Sequence, residues 1–86
     1  MTFYFVYILF SLKDKKLYIG FTNNLKSRYS KHKNGKVKST CNRRPLKLIF
    51  YEAYLNKYDA LRRERYFKTN KGKTTLRQML KNFLEE

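Results

Sequence analysis

Residues 3–10, Phe3-Tyr4-Phe5-Val6-Tyr7-Ile8-Leu9-Phe10, form an unbroken apolar run of aromatic and branched side chains. A strand with one solvated face alternates polar and apolar residues; a run without alternation reads as a central strand covered on both faces. Residues 11–16 carry a turn, and Leu17-Tyr18-Ile19-Gly20-Phe21 reads as a second strand, so the two form a hairpin. Asn23 or Asn24 can cap the helix that follows, in which Leu25, Arg28, Tyr29 and His32 recur at three- and four-residue intervals. Gly35 is its C-terminal stop. A basic loop over 36–44 ends at Pro45. Residues 46–54 then alternate as a third strand, with Leu46, Leu48, Phe50, Glu52 and Tyr54 on one side and Lys47, Ile49, Tyr51 and Ala53 on the other. Asn56 caps a second helix reaching to about Thr69, and Gly72 marks a break. Thr75 with Gln78 makes a capping box for the last helix, whose stripe is Leu76, Met79, Leu80, Phe83 and Leu84. The expected order is ββαβαα in an α/β (α+β) class: a small, three-stranded, mainly antiparallel sheet flanked by three helices.

The 86 residues allow one domain, 1–86, with one core. Hydrophobic residues make up 42% and aromatics 17%, enough to fill that core and to exclude a disordered chain despite the charge. No apolar run approaches the roughly 20 residues of a membrane span, and no basic amphipathic helix stands apart, so a membrane partner is not expected. The single Cys41 cannot form an internal disulfide, and no disulfide-linked partner is expected. With no leader in view, the cytoplasm is the expected location.

Twenty-one Lys and Arg against six Asp and Glu give a net charge of +15. Self-repulsion of that size is offset by a polyanion, most commonly a phosphate backbone. The charge is segregated. Between Asp14 and Glu52 there is no acidic residue, while Lys16, Lys26, Lys31, Lys33, Lys36, Lys38, Arg43 and Arg44 all lie in that interval. The basic loop and the first helix are therefore the expected nucleic-acid contacts, joined by Lys68 farther on. Such contacts are strongly salt-dependent and carry little sequence information.

Four kinds of side chain can carry chemistry. If the hairpin turns about Lys13, Tyr7 and Tyr18 lie opposite each other on one face, as a packing pair or as two phenols of a site. Glu64 shares an apolar helical stripe with Ala60, Leu61 and Phe67, where a carboxylate is costly unless it is paired or holds a metal. Lys68, four residues on, is the alternative partner. Arg28 on the inner stripe of the first helix can present a fixed fork to a phosphate or bridge to Glu52 or Glu64. His32 can serve as proton carrier, phosphate contact or helix-terminal cation.

At these residues the chain resembles the GIY-YIG nuclease superfamily, most closely small stand-alone bacterial members related to the N-terminal nuclease domain of the excision-repair endonuclease. The resemblance rests on Val6-Tyr7-Ile8, Tyr18-Ile19-Gly20, then Thr22, Asn24 and Leu25. Arg28 and His32 follow at Arg-x-x-x-His spacing, then Arg44-Pro45, and Ala60, Glu64 and Lys68, in all from about residue 3 to residue 70. The first motif opens on Val6 where the family has Gly, and Phe21 stands where the repair enzymes carry a lysine. The resemblance implies hydrolysis of DNA phosphodiesters with low sequence preference, in repair or recombination, on branched or damaged DNA among other forms. It implies one Mg²⁺ or Mn²⁺ held by Glu64, Arg28 on the scissile phosphate, and Tyr7 rather than Tyr18 as the base, with Tyr18 hydrogen-bonding nearby and His32 counted among the catalytic residues. A phenol must fall below its usual pKa near 10 to act at neutral pH, and the surrounding positive charge points that way. The alternative is a binder without catalysis, using the same basic surface on DNA or RNA.

Overall fold

The computed structural model of the chain describes residues 2–86. Strands β1 (Tyr4–Ser11), β2 (Leu17–Thr22) and β3 (Leu46–Tyr54) form one antiparallel sheet in the order β2-β1-β3. The apolar run is the central strand. It buries Val6 and Ile8 on one face and Tyr7 and Leu9 on the other, each at 1% exposure or less.

The hairpin register places Tyr7 opposite Gly20 and Leu9 opposite Tyr18, so Tyr7 and Tyr18 are diagonal neighbours, not the directly opposed pair expected from a turn about Lys13. The turn sets this. Ser11 N–H donates to the Lys16 carbonyl at 3.0 Å, Lys15 takes the left-handed conformation (φ 61°), and Ser11 Oγ accepts from the amides of Lys13 and Asp14. A two-residue offset preserves facing, so both phenols still share a face.

β3 departs from strict alternation. Its register against β1 shifts between Ile8 and Leu9, which stand opposite Phe50 and Leu48, and Ile49 is the extra residue of a bulge. Leu46 and Leu48 therefore pack on the face of Tyr7, whereas Ile49, Phe50 and Tyr54 pack on the opposite face. The expected single row from Leu46 to Tyr54 is split in two.

Helix α1 (Leu25–Lys33) covers the Tyr7 face, with Leu25 and Tyr29 against Tyr7, Leu9 and Leu46. Asn24 is its cap, accepting from Ser27 N–H at 3.1 Å. It ends at Gly35, whose φ of +75° suits a residue without a Cβ. Helix α2 (Lys57–Phe67), capped by Asn56, covers the other face, with Ala60 and Phe67 fully buried. Beside it run α3 (Asn70–Met79) and the single turn α4 (Lys81–Leu84).

The last helix begins earlier than the sequence suggests. Thr69, not Thr75, is its cap, accepting from Gly72 N–H at 3.0 Å. Gly72 is no break. It sits buried in the first turn of α3, where a Cβ would run into the Tyr66 carbonyl, so close helix–helix approach and not chain reversal requires glycine there. Thr75 lies inside the helix and bonds the Tyr66 hydroxyl at 2.7 Å. The expected stripe divides at Leu80: Leu76 is buried in the core, Phe83 packs edge-on against Phe10, and Met79 is exposed.

Candidate active site

Tyr7 is presented by the centre of the sheet, and its ring lies over Gly20. A Cβ at Gly20 would overlap the Tyr7 phenol carbon and hydroxyl. The glycine of Tyr18-Ile19-Gly20 is thus the floor under the Tyr7 ring, which fixes where the hydroxyl points. Tyr18 stands beside it with ring centroids 6.4 Å apart.

The Tyr7 hydroxyl is 2.8 Å from His32 Nε2, and His32 Nδ1 is 2.7 Å from Thr40 Oγ1. His32 and Thr40 are both at 0% exposure. This places a buried three-member chain, Tyr7–His32–Thr40, across strand, helix and loop. The readings of His32 as a phosphate contact or helix-terminal cation do not survive, because the ring is out of reach of solvent and uncharged. Burial, aided by the Arg28 charge, pushes its pKa down to about 4. In one tautomer Tyr7 donates to Nε2 and Nδ1–H donates to Thr40. In the other, Thr40 donates to Nδ1 and Nε2–H donates to the phenol oxygen. Thr40 gives no sign of this role in the sequence, because it lies in the basic loop, where the charge of its neighbours dominates.

Arg28 projects from α1 one turn before His32. No carboxylate stands within ion-pair reach of it among the described residues: Glu52 is taken by Arg63 at 3.0 Å and by the Tyr54 hydroxyl at 2.6 Å. The salt-bridge reading of Arg28 is therefore not realised. Its guanidinium acts on Tyr7 instead, favouring the ionised phenol, but burial outweighs it, and the neighbouring Tyr18 also opposes it. The net shift of Tyr7 is upward, opposite to the depressed phenol expected from the basic surroundings. The charge count senses the field but not the desolvation.

Glu64 is held on the α2 stripe between Ala60 and Phe67, its side chain 16% exposed, close enough that its charge is felt at the Tyr7 phenol. Lys68 Nζ donates to Oε2 at 2.9 Å, which realises the i,i+4 bridge and leaves Oε1 without a protein hydrogen bond among the described residues. No group of three His, Cys, Asp or Glu suited to enclosing a metal occurs among the described residues. The donor set thus excludes a caged zinc-type site but fits a hard ion such as Mg²⁺, which binds through one carboxylate, several waters and a substrate phosphate.

The basic residues divide. Lys26, Lys31 and Lys33 are exposed on α1, and Lys36 and Lys38 on the loop after it. Arg43 is tied down by Asp14 at 2.7 Å, an ion pair that holds the Asp14 carboxyl below its usual range, and its carbonyl accepts from Ser11. The Arg44 guanidinium lies over Gly35 and donates to the Cys41 carbonyl. Lys16 lines a groove with Lys73 and Arg77, two cations that the charge pattern does not single out because they lie beyond the segregated interval. Cys41 only donates to the Lys38 carbonyl, as suits an incidental loop residue.

The histidine makes a stability prediction. Its pKa is lowered from 6.5 in the unfolded chain to about 4 in the fold, so the unfolded chain binds more protons between those values. Stability should therefore fall as pH drops from about 6.5 toward 4, by about 3 kcal/mol from this residue. Chemical denaturation of wild type and His32→Gln across that range checks it. A wild-type curve no steeper than the variant's contradicts a buried neutral His32.

A family model described as the GIY-YIG catalytic domain matches residues 3–78. A UPF0213 protein of Pediococcus acidilactici is 39% identical over 83 residues, covering 93% of this chain and 83% of its own length. One from Clostridium perfringens is 48% identical over 65 residues, covering 74% and 69% respectively. The solution NMR structure of a UPF0213 protein of Bacillus halodurans superposes with a TM-score of 0.56 at 34% identity, covering 90% of this chain and 84% of that one.

Proposed function

The chain belongs to the GIY-YIG catalytic domain family, and from that premise we propose that it is a metal-dependent endonuclease that hydrolyses DNA phosphodiester bonds with low sequence preference. The observation that carries this reading is the Tyr7 phenol, beside Tyr18 at 6.4 Å between ring centroids and within electrostatic reach of both Arg28 and Glu64, with Arg28 in no salt bridge among the described residues. A surface that only binds a polyanion has no use for a carboxylate and two phenols inside its cationic field.

In this reading Arg28, which pairs with no carboxylate among the described residues, orients the scissile phosphate and offsets the charge that builds on it. Tyr7 aims its hydroxyl at the attacking water, with Gly20 beneath the ring and His32 fixing the oxygen. Its raised pKa means the resting phenol carries its proton. To act as base it first gives up that proton, and the phenolate, held by the Nε2–H of His32 at 2.8 Å, takes the proton of the attacking water. Tyr18 stays beside it as a hydrogen-bonding neighbour. Glu64 would hold the Mg²⁺ or Mn²⁺, which when bound would supply Lewis-acid stabilisation of the leaving oxygen. Branched and damaged DNA are the substrates of interest, within a repair or recombination role.

Purified protein is incubated with flapped, branched, nicked and linear DNA in Mg²⁺, in Mn²⁺ and in chelator. The proposal expects cleavage with either ion and none with chelator. Retained binding with no cutting on any substrate would instead support the non-catalytic binder, on DNA or RNA.

The binding face is α1 and the loop after it. Replacing Lys26, Lys31, Lys36 and Lys38 with Ala should weaken DNA affinity on every sequence alike. It should also flatten the plot of log affinity against log salt by roughly one for each phosphate no longer neutralised. A salt titration by fluorescence anisotropy reads this. An unchanged slope would move the face elsewhere, toward Lys16, Lys73 and Arg77.

A further inference from the structure

The net charge of +15 is absent from one part of the chain. Residues 46–60 hold Lys47 and Lys57 against Glu52 and Asp59, so β3 and the start of α2 are neutral while the remainder carries all the excess. The same segment holds three of the large apolar residues exposed to solvent, Tyr51 at 52%, Leu55 at 58% and Tyr58 at 69%. β3 is an edge strand, paired with β1 on one side and, among the described residues, with no strand on the other. Along its open edge Leu48, Ile49, Phe50 and Tyr51 line a groove of about 290 Å³. β3 is a nine-residue edge with a single lysine and an apolar centre, guarded chiefly by its bulge. Its neutrality makes nucleic acid a poor occupant and protein a good one.

The bulge decides which protein. Because Ile49 is the extra residue, the facing of side chains along β3 becomes symmetric about the Ile49–Phe50 bond. Ile49 and Phe50 share one face, Leu48 and Tyr51 share the other, and Lys47 and Glu52 share the first again. Two antiparallel copies related by a two-fold axis at that bond would pair residues of like facing throughout. Lys47 of each would lie opposite Glu52 of the other, twice, and Leu48 opposite Tyr51. A regular strand could not do this, since residues of opposite parity would then face opposite ways.

We propose that the β3 edge pairs with the β3 edge of a second copy of this chain, joining two three-stranded sheets into one of six strands across a Lys47–Glu52 charge pair. The neutral segment lets the two cationic bodies meet without setting like charges opposite each other along the paired strands. Such a particle carries two candidate sites and can engage two phosphodiesters at once.

Sedimentation equilibrium at low and moderate salt gives the test, independently of any nuclease assay. The wild type is expected at twice the 10.6 kDa chain mass at concentrations of about 100 µM. Lys47→Glu, which sets like charges opposite each other twice, is expected to weaken association at least tenfold. Lys47→Glu with Glu52→Lys is expected to restore it. Because Glu52 also holds Arg63, circular dichroism accompanies each variant, and Tyr51→Lys at an exposed position serves as the second dissociating change. A wild type that stays at single-chain mass overturns the proposal. So does a dimer indifferent to both Lys47→Glu and Tyr51→Lys.

Discussion

Glu64→Gln should abolish metal-dependent cleavage while leaving DNA binding intact or slightly tighter. The amide keeps the size of the side chain and can still accept from Lys68, so the bridge that holds it at 2.9 Å keeps an acceptor and α2 is not disturbed. What is lost is the negative charge that makes Oε1 a ligand for a hard cation. A single transition-state stabiliser is worth about 10²–10³ in rate. Here the loss should be at least that large, because in the proposed mechanism Glu64 is the one side chain that holds the ion. Removing a negative charge from a cationic surface cannot weaken its hold on a polyanion. Single-turnover cleavage and anisotropy on the same preparation separate the two effects. If cutting continues at the wild-type rate, Glu64 is only the partner of Lys68.

Tyr7→Phe should be comparably severe and should also change the dependence on pH. Loss of a positioned base costs roughly 10²–10⁴ in rate. Burial holds the Tyr7 phenol above its ordinary value, so the base form is scarce at neutral pH and grows tenfold with each pH unit below that pKa. The wild-type rate should therefore climb with pH through the neutral range without a plateau, whereas the residual rate of Tyr7→Phe should be nearly flat. A variant that keeps the same slope would place the titrating group elsewhere. Tyr18→Phe should cost less, since Tyr18 stands beside Tyr7 and makes only a 3.5 Å contact with Ser39. The phenylalanine ring should still rest on Gly20, so thermal melts of Tyr7→Phe report chiefly the loss of the hydrogen bond to His32, about 1 kcal/mol or somewhat more.

The sequence carries the architecture because the apolar run at 3–10 admits one role, the middle of a sheet covered on both faces. It also carries the shared face of Tyr7 and Tyr18, because a period of two survives a misjudged turn. It does not carry the register, which a left-handed Lys15 and the Ser11 hydroxyl decide locally. Nor does it carry the bulge, since the alternation from Leu46 to Tyr54 looks uninterrupted until β1 is laid against it. Gly72 misleads for a different reason. Its lack of a side chain serves close packing against Tyr66, and that approach exists only in the fold. At the site, Glu64 announces itself as a carboxylate on an apolar stripe. Thr40 gives no such sign, because what it holds is a histidine eight residues away in a different element. The direction of the Tyr7 shift needs the burial of the ring, which no count of lysines supplies.

The proposal that Glu64 holds an ion beside Tyr7 and Arg28 can be tested without turnover. Mn²⁺ is added at sub-stoichiometric levels to the ¹⁵N-labelled protein without DNA, and paramagnetic broadening of each backbone amide is followed by NMR. A site built on these residues predicts that the amides around Gly20 and Glu64 broaden first, with Arg28 close behind, and that Glu64→Gln removes the effect. Broadening centred on Glu85 and Glu86, or unchanged by Glu64→Gln, would contradict it.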